Sequence, residues 1–237
     1  MKKAKILMYH SIGTAPCGQE TGSSLYSISE EDFHSQVQLV ALAEHRAPGK
    51  IILTFDDGFL NNYHVAFPAL REFELKAYFF ITINRVGRPG YMNWEKIREL
   101  HSAGMIIGSH GMTHIILDGQ SDEDLEYEIK WSKKILEEKL GAAVDYFSVP
   151  RGFCNEKVTA KAKEAGYKAI FTSNISDSDG FKSGRIAVKS GWDLEYFKKV
   201  LKNGLPLKDR TREFIKSASK KMFGARNYDR LRTRILK

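Results

Sequence analysis

Two adjacent carboxylates, Asp56 and Asp57, end the apolar run Ile51-Ile52-Leu53-Thr54-Phe55 and are followed by Gly58. Side by side at the end of a buried strand, they repel one another and lose hydration unless a cation lies with them. Partners for such a cation stand further along the chain. His110 and His114 are four residues apart, a spacing that lets both imidazoles reach one ion from a helical turn or a tight loop. No glutamate follows His110, as a metalloprotease helix would require. One carboxylate of the pair together with the two imidazoles makes a two-histidine, one-carboxylate set that leaves room for water, as a catalytic zinc site needs. Successive residues at a strand end point different ways, so the other carboxylate is placed to accept a proton.

Alternating strands and helices must position these groups. Lys5 to Tyr9 is a first strand ending at His10, and Thr14 to Ser27 is a small, polar loop. Ser29 with Asp32 starts a helix that keeps Phe33, Val37, Val40 and Ala41 on one face up to Pro48-Gly49. Lys50 to Phe55, Ala77 to Thr82, Met105 to Gly108, Tyr146 to Val149, Tyr167 to Phe171 and Arg185 to Val188 are the later strands. Helices run between them: Asn62 to Glu74 with a kink at Pro68, one capped by Asn93 and ending at Gly104, Ser121 to Leu140, and Asn155 to Ala165. Trp192 to Leu201 is the last helix of the pattern.

About seven such alternations without a long linker predict one α/β domain with a parallel sheet. The periodicity alone does not separate a closed barrel from an open doubly wound sheet. His10, Asp56-Asp57, His110 and Pro150-Arg151 all follow C-terminal strand ends, which converge on one face in a barrel. His34, His45, His64 and His101 are expected at the surface or in structural roles, and Trp94 and Trp131 in helix packing.

With 42% hydrophobic and 28% charged residues in a chain of 237, the composition is that of an ordinary globular protein. Two cysteines, Cys17 and Cys154, are too few for a disulfide framework or a cysteine zinc site. The apolar stretch after the basic start is too short for a signal sequence or a membrane span, so a cytoplasmic location is expected. Of the net charge of +8, residues 198–237 carry +11, with fourteen Lys/Arg against Asp209, Glu213 and Asp229, leaving −3 for residues 1–197. Residues 205–237 are therefore expected to form a basic helical tail beyond a domain spanning 1–204. In it Phe214, Ile215, Ala218 and Met222, then Tyr228, Leu231 and Ile235, recur at helical spacing among the cations. Such a tail suits either an anionic membrane surface or packing on the domain, with nucleic acid a third-ranked partner.

Thr54-Phe55-Asp56-Asp57-Gly58, His110-x-x-x-His114 and Pro150-Arg151-Gly152, in order and spacing within Ile6 to Leu201, resemble the successive motifs of the polysaccharide deacetylases, carbohydrate esterase family 4. The resemblance implies a distorted (β/α) barrel holding a divalent metal, zinc in the first place, with cobalt, manganese or nickel as alternatives. It implies removal of acetyl groups from an N-acetylated sugar, as polysaccharide or lipid-linked precursor. Carried over by position, Asp56 is the general base, and Asp57, His110 and His114 are the metal ligands.

Three positions depart from the family pattern. Ser148 stands where an arginine is usual, and Arg151 where a tyrosine is usual. The backbone N–H of Arg151 still serves an oxyanion, because that role needs only the main chain. No histidine follows His114 to act as the late general acid; instead Ile6-Leu7-Met8-Tyr9-His10-Ser11-Ile12 resembles the opening of the circularly permuted branch typified by poly-N-acetylglucosamine deacetylases, which assigns the acid to His10. Asp177 or Asp179 is a candidate to orient it, with a solvated loop acid the plainer reading. Pro150, Arg151 and Trp192 are candidate sugar contacts. A silent glycan- or partner-binding pseudoenzyme and a small-amide hydrolase are the alternative functions.

Overall fold

Leu53, Thr54 and Phe55 are buried on both faces of their strand, as a run without polar alternation requires. The computed structural model describes residues 4–14, 23–215 and 217–219. Its strands and helices follow in the order β1 (Lys5–Tyr9), β2 (Ser11–Ile12), β3 (Ser27–Ile28), α1 (Glu30–Arg46), β4 (Ile51–Phe55), α2 (Phe67–Glu72) and β5 (Ala77–Ile81). They continue with α3 (Trp94–Ser102), β6 (Ile106–Ser109), α4 (Asp122–Leu125), α5 (Ser132–Leu140), β7 (Tyr146–Ser148) and α6 (Glu156–Glu164). The last are β8 (Ala169–Thr172), β9 (Lys182–Gly184), β10 (Ile186–Ala187) and α7 (Leu194–Asn203). Eight strands form one sheet in the order β10-β1-β4-β5-β6-β7-β8-β9, the parallel α/β barrel architecture.

The sheet holds eight strands where about seven were expected. The additional one is β9, whose Lys-Ser-Gly carries no apolar pattern. It is an edge strand, paired among the described strands to β8, with one isolated bridge from Ser183 to Ser178.

Contacts divide the chain into two compact units, the first running through Phe79 with Arg85–Ile107 and Ile186–Pro206, the second comprising Phe80–Asn84, Gly108–Arg185 and the chain from Leu207. In the first unit β1 lies between β4 and β10, in register Tyr9 with Phe55 and Leu7 with Ile186. The rings of Tyr9, Phe55 and Phe79 stack in sequence across three strands, at 5.4 and 4.8 Å. Each such pair contributes about 0.5–1.5 kcal/mol beyond the area it buries. Ser29 and Asn93 cap α1 and α3 as expected, accepting from the N–H groups of Asp32 and Lys96.

Pro68 does not kink a long helix by itself. A π-helical turn, Asn62–Ala66, precedes it, and Pro68 sits in the first turn of α2, where its missing N–H costs least. The helix capped by Asp193 begins at Leu194, two residues later than its apolar spacing indicated.

In the second unit β7 pairs with β6 and β8, and β8 with β9. Ser121 caps the predicted Ser121–Leu140 helix, which is α4, a π-helical stretch Glu126–Trp131, and α5, ended by Gly141. Trp131 is 45% exposed, with the Lys134 ammonium 4.8 Å from its ring centroid, so it does not pack in the core. Residues 207–215 are helical. Cys17 and the tail positions Met222, Tyr228, Leu231 and Ile235 lie outside the described residues. No helix among the described residues is long and apolar enough to cross a membrane.

Candidate active site

Asp56 and His10 each follow directly on a strand. The register of β1 with β4 sets them level, and the Asp56 N–H donates to Tyr9 O at 3.0 Å. Asp56 and Asp57 are both buried. Asp57 takes φ 75°, a left-handed conformation rare outside glycine, so the chain turns sharply between the two carboxylates.

Part of the expected cation is a side chain that sequence reasoning missed. Arg85 Nη1 donates to Asp57 Oδ1 at 2.8 Å, and its guanidinium lies 5.4 Å from the Tyr91 ring centroid. A carboxylate held on one oxygen by a guanidinium keeps acceptor capacity on the other. Burial lifts the Tyr91 hydroxyl above the usual tyrosine range.

His10 is fixed through its backbone. Asn62, fully buried on the π-turn, donates from Nδ2 to His10 O at 2.7 Å, and Asn61 donates to Ser11 Oγ at 2.7 Å. The His10 ring lies 5.1 Å from that of Tyr26. β1 pairs in parallel with β10, so the first and last strands of the sheet are direct neighbours.

His110 leaves β6 with its N–H donated to Ile81 O at 2.8 Å. Its Nδ1 lies 2.8 Å from Ser148 O. A carbonyl only accepts, so Nδ1 carries the proton there and Nε2 is left as the ligand nitrogen. His114 has φ 67° and its ring centroid is 5.0 Å from that of His110. One ligand atom from each of Asp57, His110 and His114 lies within 4.8 Å of the other two.

The turn after β7 is tight. Pro150 is buried, Arg151 stands at φ 60° and Gly152 at φ 70°, and Gly152 N–H donates to Val149 O at 3.0 Å. The Ser148 hydroxyl accepts from Arg185 Nη2 at 2.8 Å, and Arg185 is itself buried against the Phe80 and Phe171 rings. A buried guanidinium thus reaches the Ser148 position from the loop before β10. The sequence offered no signal for it beyond the serine itself.

Asp177 accepts from the Thr172 hydroxyl and from Asn174 Nδ2, and Asp179 from the N–H groups of Phe181 and Lys182, bonds that build the loop between β8 and β9. Trp192, half-buried, lies 4.9 Å from the Tyr196 ring before α7.

A parallel α/β sheet with carboxylates and imidazoles just beyond its strand ends belongs to the class of barrels that carry chemistry at that edge. The family model for polysaccharide deacetylase matches residues 43–170, and the chain belongs to that family. Bacillus subtilis YxkH is 27% identical over 188 residues, 72% of this chain and 64% of its own. The peptidoglycan-N-acetylglucosamine deacetylase of Bacillus cereus is 36% identical over 124 residues, 52% of this chain and 56% of its own. The chain therefore spans about three fifths of the length of these curated relatives. In fold it matches the Streptococcus pyogenes deacetylase PplD, solved in complex with acetate, at a TM-score of 0.73 and 23% identity, over 86% of this chain and 99% of that one.

Proposed function

We propose that the protein is a metal-dependent hydrolase that removes N-acetyl groups from an N-acetylated sugar or glycan. The observation that carries this reading is the gathering of one donor atom each from Asp57, His110 and His114 within 4.8 Å, with a second buried carboxylate, Asp56, adjacent in the chain. One carboxylate and two imidazoles, with His110 Nε2 left available by the bond at Nδ1, fit zinc, and cobalt, manganese or nickel as substitutes. Such an ion, when bound, polarises the acetyl carbonyl and offsets the charge that develops on its oxygen.

The chain's own groups then divide the remaining work. Asp56 takes a proton from the attacking water, and the Arg151 N–H donates to the oxyanion. His10 protonates the amine as the C–N bond breaks, leaving acetate and a free amino sugar. Pro150, Arg151 and Trp192 contact the sugar.

The curated relative that acts on N-acetylglucosamine in peptidoglycan supports that sugar as the first to test. Acetate release is to be compared across short N-acetylglucosamine oligomers and free, nucleotide-linked and lipid-linked N-acetyl sugars. Release from one of these, abolished by a chelator and restored by Zn2+, is the expected result. Metal binding without release from any would make the protein a binding module, and turnover of simple amides alone would make it a small-amide hydrolase.

The helix over residues 207–215 supports a second element of the reading, peripheral attachment to an anionic, cytoplasmic membrane face. Leu207, Phe214 and Ile215 are 79%, 65% and 58% exposed, so this apolar face is not spent on packing against the domain. Lys208 and Arg210 flank it, while Asp209 and Glu213 fall on the opposite side at 100° per residue. Leu207→Glu with Phe214→Glu in the full chain is expected to abolish co-flotation with phosphatidylserine vesicles. Undiminished flotation of that variant would dispose of the attachment.

A further inference from the structure

We propose that Glu128 is the positioning residue that sets the His110–His114 loop for metal binding. This rests on the metal-dependent reading above. Glu128 is 1% exposed, yet it lies on a helix otherwise turned to the core through Leu125, Ile129 and Leu136. A carboxylate in such a place costs several kcal/mol in lost hydration unless donors replace the water.

The replacement comes wholly from the segment between the two histidines. The N–H groups of Met112 and Thr113 donate to Oε2 at 2.9 and 3.0 Å, and the Thr113 hydroxyl makes a short bond to Oε1. Three donors on one anion form a charge-assisted clamp, each bond stronger than its neutral counterpart. The clamp also fixes residue 111. Gly111 stands at φ 81°, and a Cβ there would lie 2.8 Å from Glu128 Oε2, so the carboxylate approaches the loop where no side chain intervenes.

A neighbouring contact grips the other end of the same segment. Ser132, one turn on from Glu128, bonds through Oγ to Ser109 Oγ at 2.7 Å and donates to the Glu128 carbonyl at 2.6 Å. Ser109 Oγ in turn accepts from Gly111 N–H at 3.1 Å. Residues 109, 111, 112 and 113, which bracket His110 and lead into His114, are thereby tied to one short length of helix. That length includes the π-helical stretch Glu126–Trp131, an irregularity that occurs frequently at functional sites. His114 holds its left-handed φ of 67° at the end of this tethered segment.

A glutamine of the same shape keeps the volume and one carbonyl acceptor. Its amide would set a donor against a donor, so the loop must shift or lose a bond. Co2+ is the probe, because its visible absorption reports both occupancy and ligand geometry.

With the full chain, Glu128→Gln is expected to bind Co2+ ten- to a hundredfold more weakly than wild type, the range seen when an outer partner of a ligand is removed, and to change the band pattern. Its far-ultraviolet circular dichroism should match wild type in the absence of metal. Thr113→Val, which deletes one donor and leaves the charge, is expected to weaken Co2+ binding several-fold, and it decides the matter if Glu128→Gln does not fold. Wild-type affinity and spectrum in either folded variant would reduce Glu128 to a structural residue even if the melting temperature fell. If wild type itself binds no Co2+ or Zn2+, the metal reading fails and the positioning role fails with it.

Discussion

Asp56→Asn is expected to retain the wild-type metal content while acetate release falls by about two to four orders of magnitude, the usual contribution of a general base. The two readouts separate because the two carboxylates are held differently. Asp57 turns away at φ 75° and is gripped by Arg85, whereas Asp56 is fixed by its own N–H on Tyr9 O in the β1–β4 register. An amide at position 56 keeps the shape of the side chain and that backbone bond, so it leaves the Asp57, His110 and His114 donors where they are. It removes the negative charge and, with it, the ability to take up a proton. Metal content by elemental analysis and acetate by a coupled assay measure the two effects. Turnover within a few-fold of wild type would place the base elsewhere, and parallel loss of metal would make Asp56 a ligand.

Most of what positions these residues could be read from residue type and spacing, because it follows from periodicities of two and 3.6 and from capping chemistry. Ser29, Asn93 and Ser121 cap helices because a side-chain oxygen is the local answer to orphan N–H groups, and that answer needs no tertiary context. The placement of Asp56 and His110 directly after strands was legible for a related reason, since an apolar run that stops at a polar residue marks the end of a buried strand.

Arg85, Glu128 and Arg185 could not be found in the same way, since each acts over a separation in sequence that no periodicity encodes. A basic chain offers many arginines, and nothing local marks Arg185 as the buried one. Glu128 left a faint trace. It falls in the apolar stripe of its helix beside Leu125, Ile129, Ser132 and Leu136, where an acid has no reason to be unless something donates to it. The edge strand β9 and the π-turns escaped because both are tertiary adjustments of the backbone, with Lys-Ser-Gly and Asn-Tyr-His-Val-Ala carrying no propensity that announces them.

The serine at 148 takes on a meaning that neither sequence nor fold supplies alone. Its carbonyl accepts from His110 Nδ1 while its hydroxyl accepts from Arg185, so one residue couples the orientation of a candidate ligand to a buried cation. An arginine in its place would have to fit beside Arg185, which already fills that space against Phe80 and Phe171. The two positions are better read as one arrangement, with the guanidinium brought from the β9–β10 loop and a small hydroxyl left at 148 to receive it.

The same segment carries the second large effect, expected for Gly152→Ala. Gly152 follows Arg151, so two consecutive residues occupy the left-handed region, at φ 60° and 70°. An alanine there costs about 1–2 kcal/mol for its conformation alone. The added methyl would also stand 1.9 Å from Ser173 Oγ and 3.0 Å from the Ser173 backbone nitrogen, and relieving such an overlap typically costs about 1–3 kcal/mol. Together these predict a loss of roughly 2–5 kcal/mol in urea unfolding. Activity should suffer beyond stability, because the turn must open by moving Arg151, and a shift of about 1 Å in a group that orients the reaction costs about a hundredfold in rate. Ser173→Gly in the same chain removes the side-chain overlap but not the strained φ, so the double variant should recover stability in part and rate in larger part. A single variant with an unchanged unfolding midpoint and unchanged acetate release would show that the turn accommodates a side chain freely, and the Arg151 N–H would lose its claim to the oxyanion.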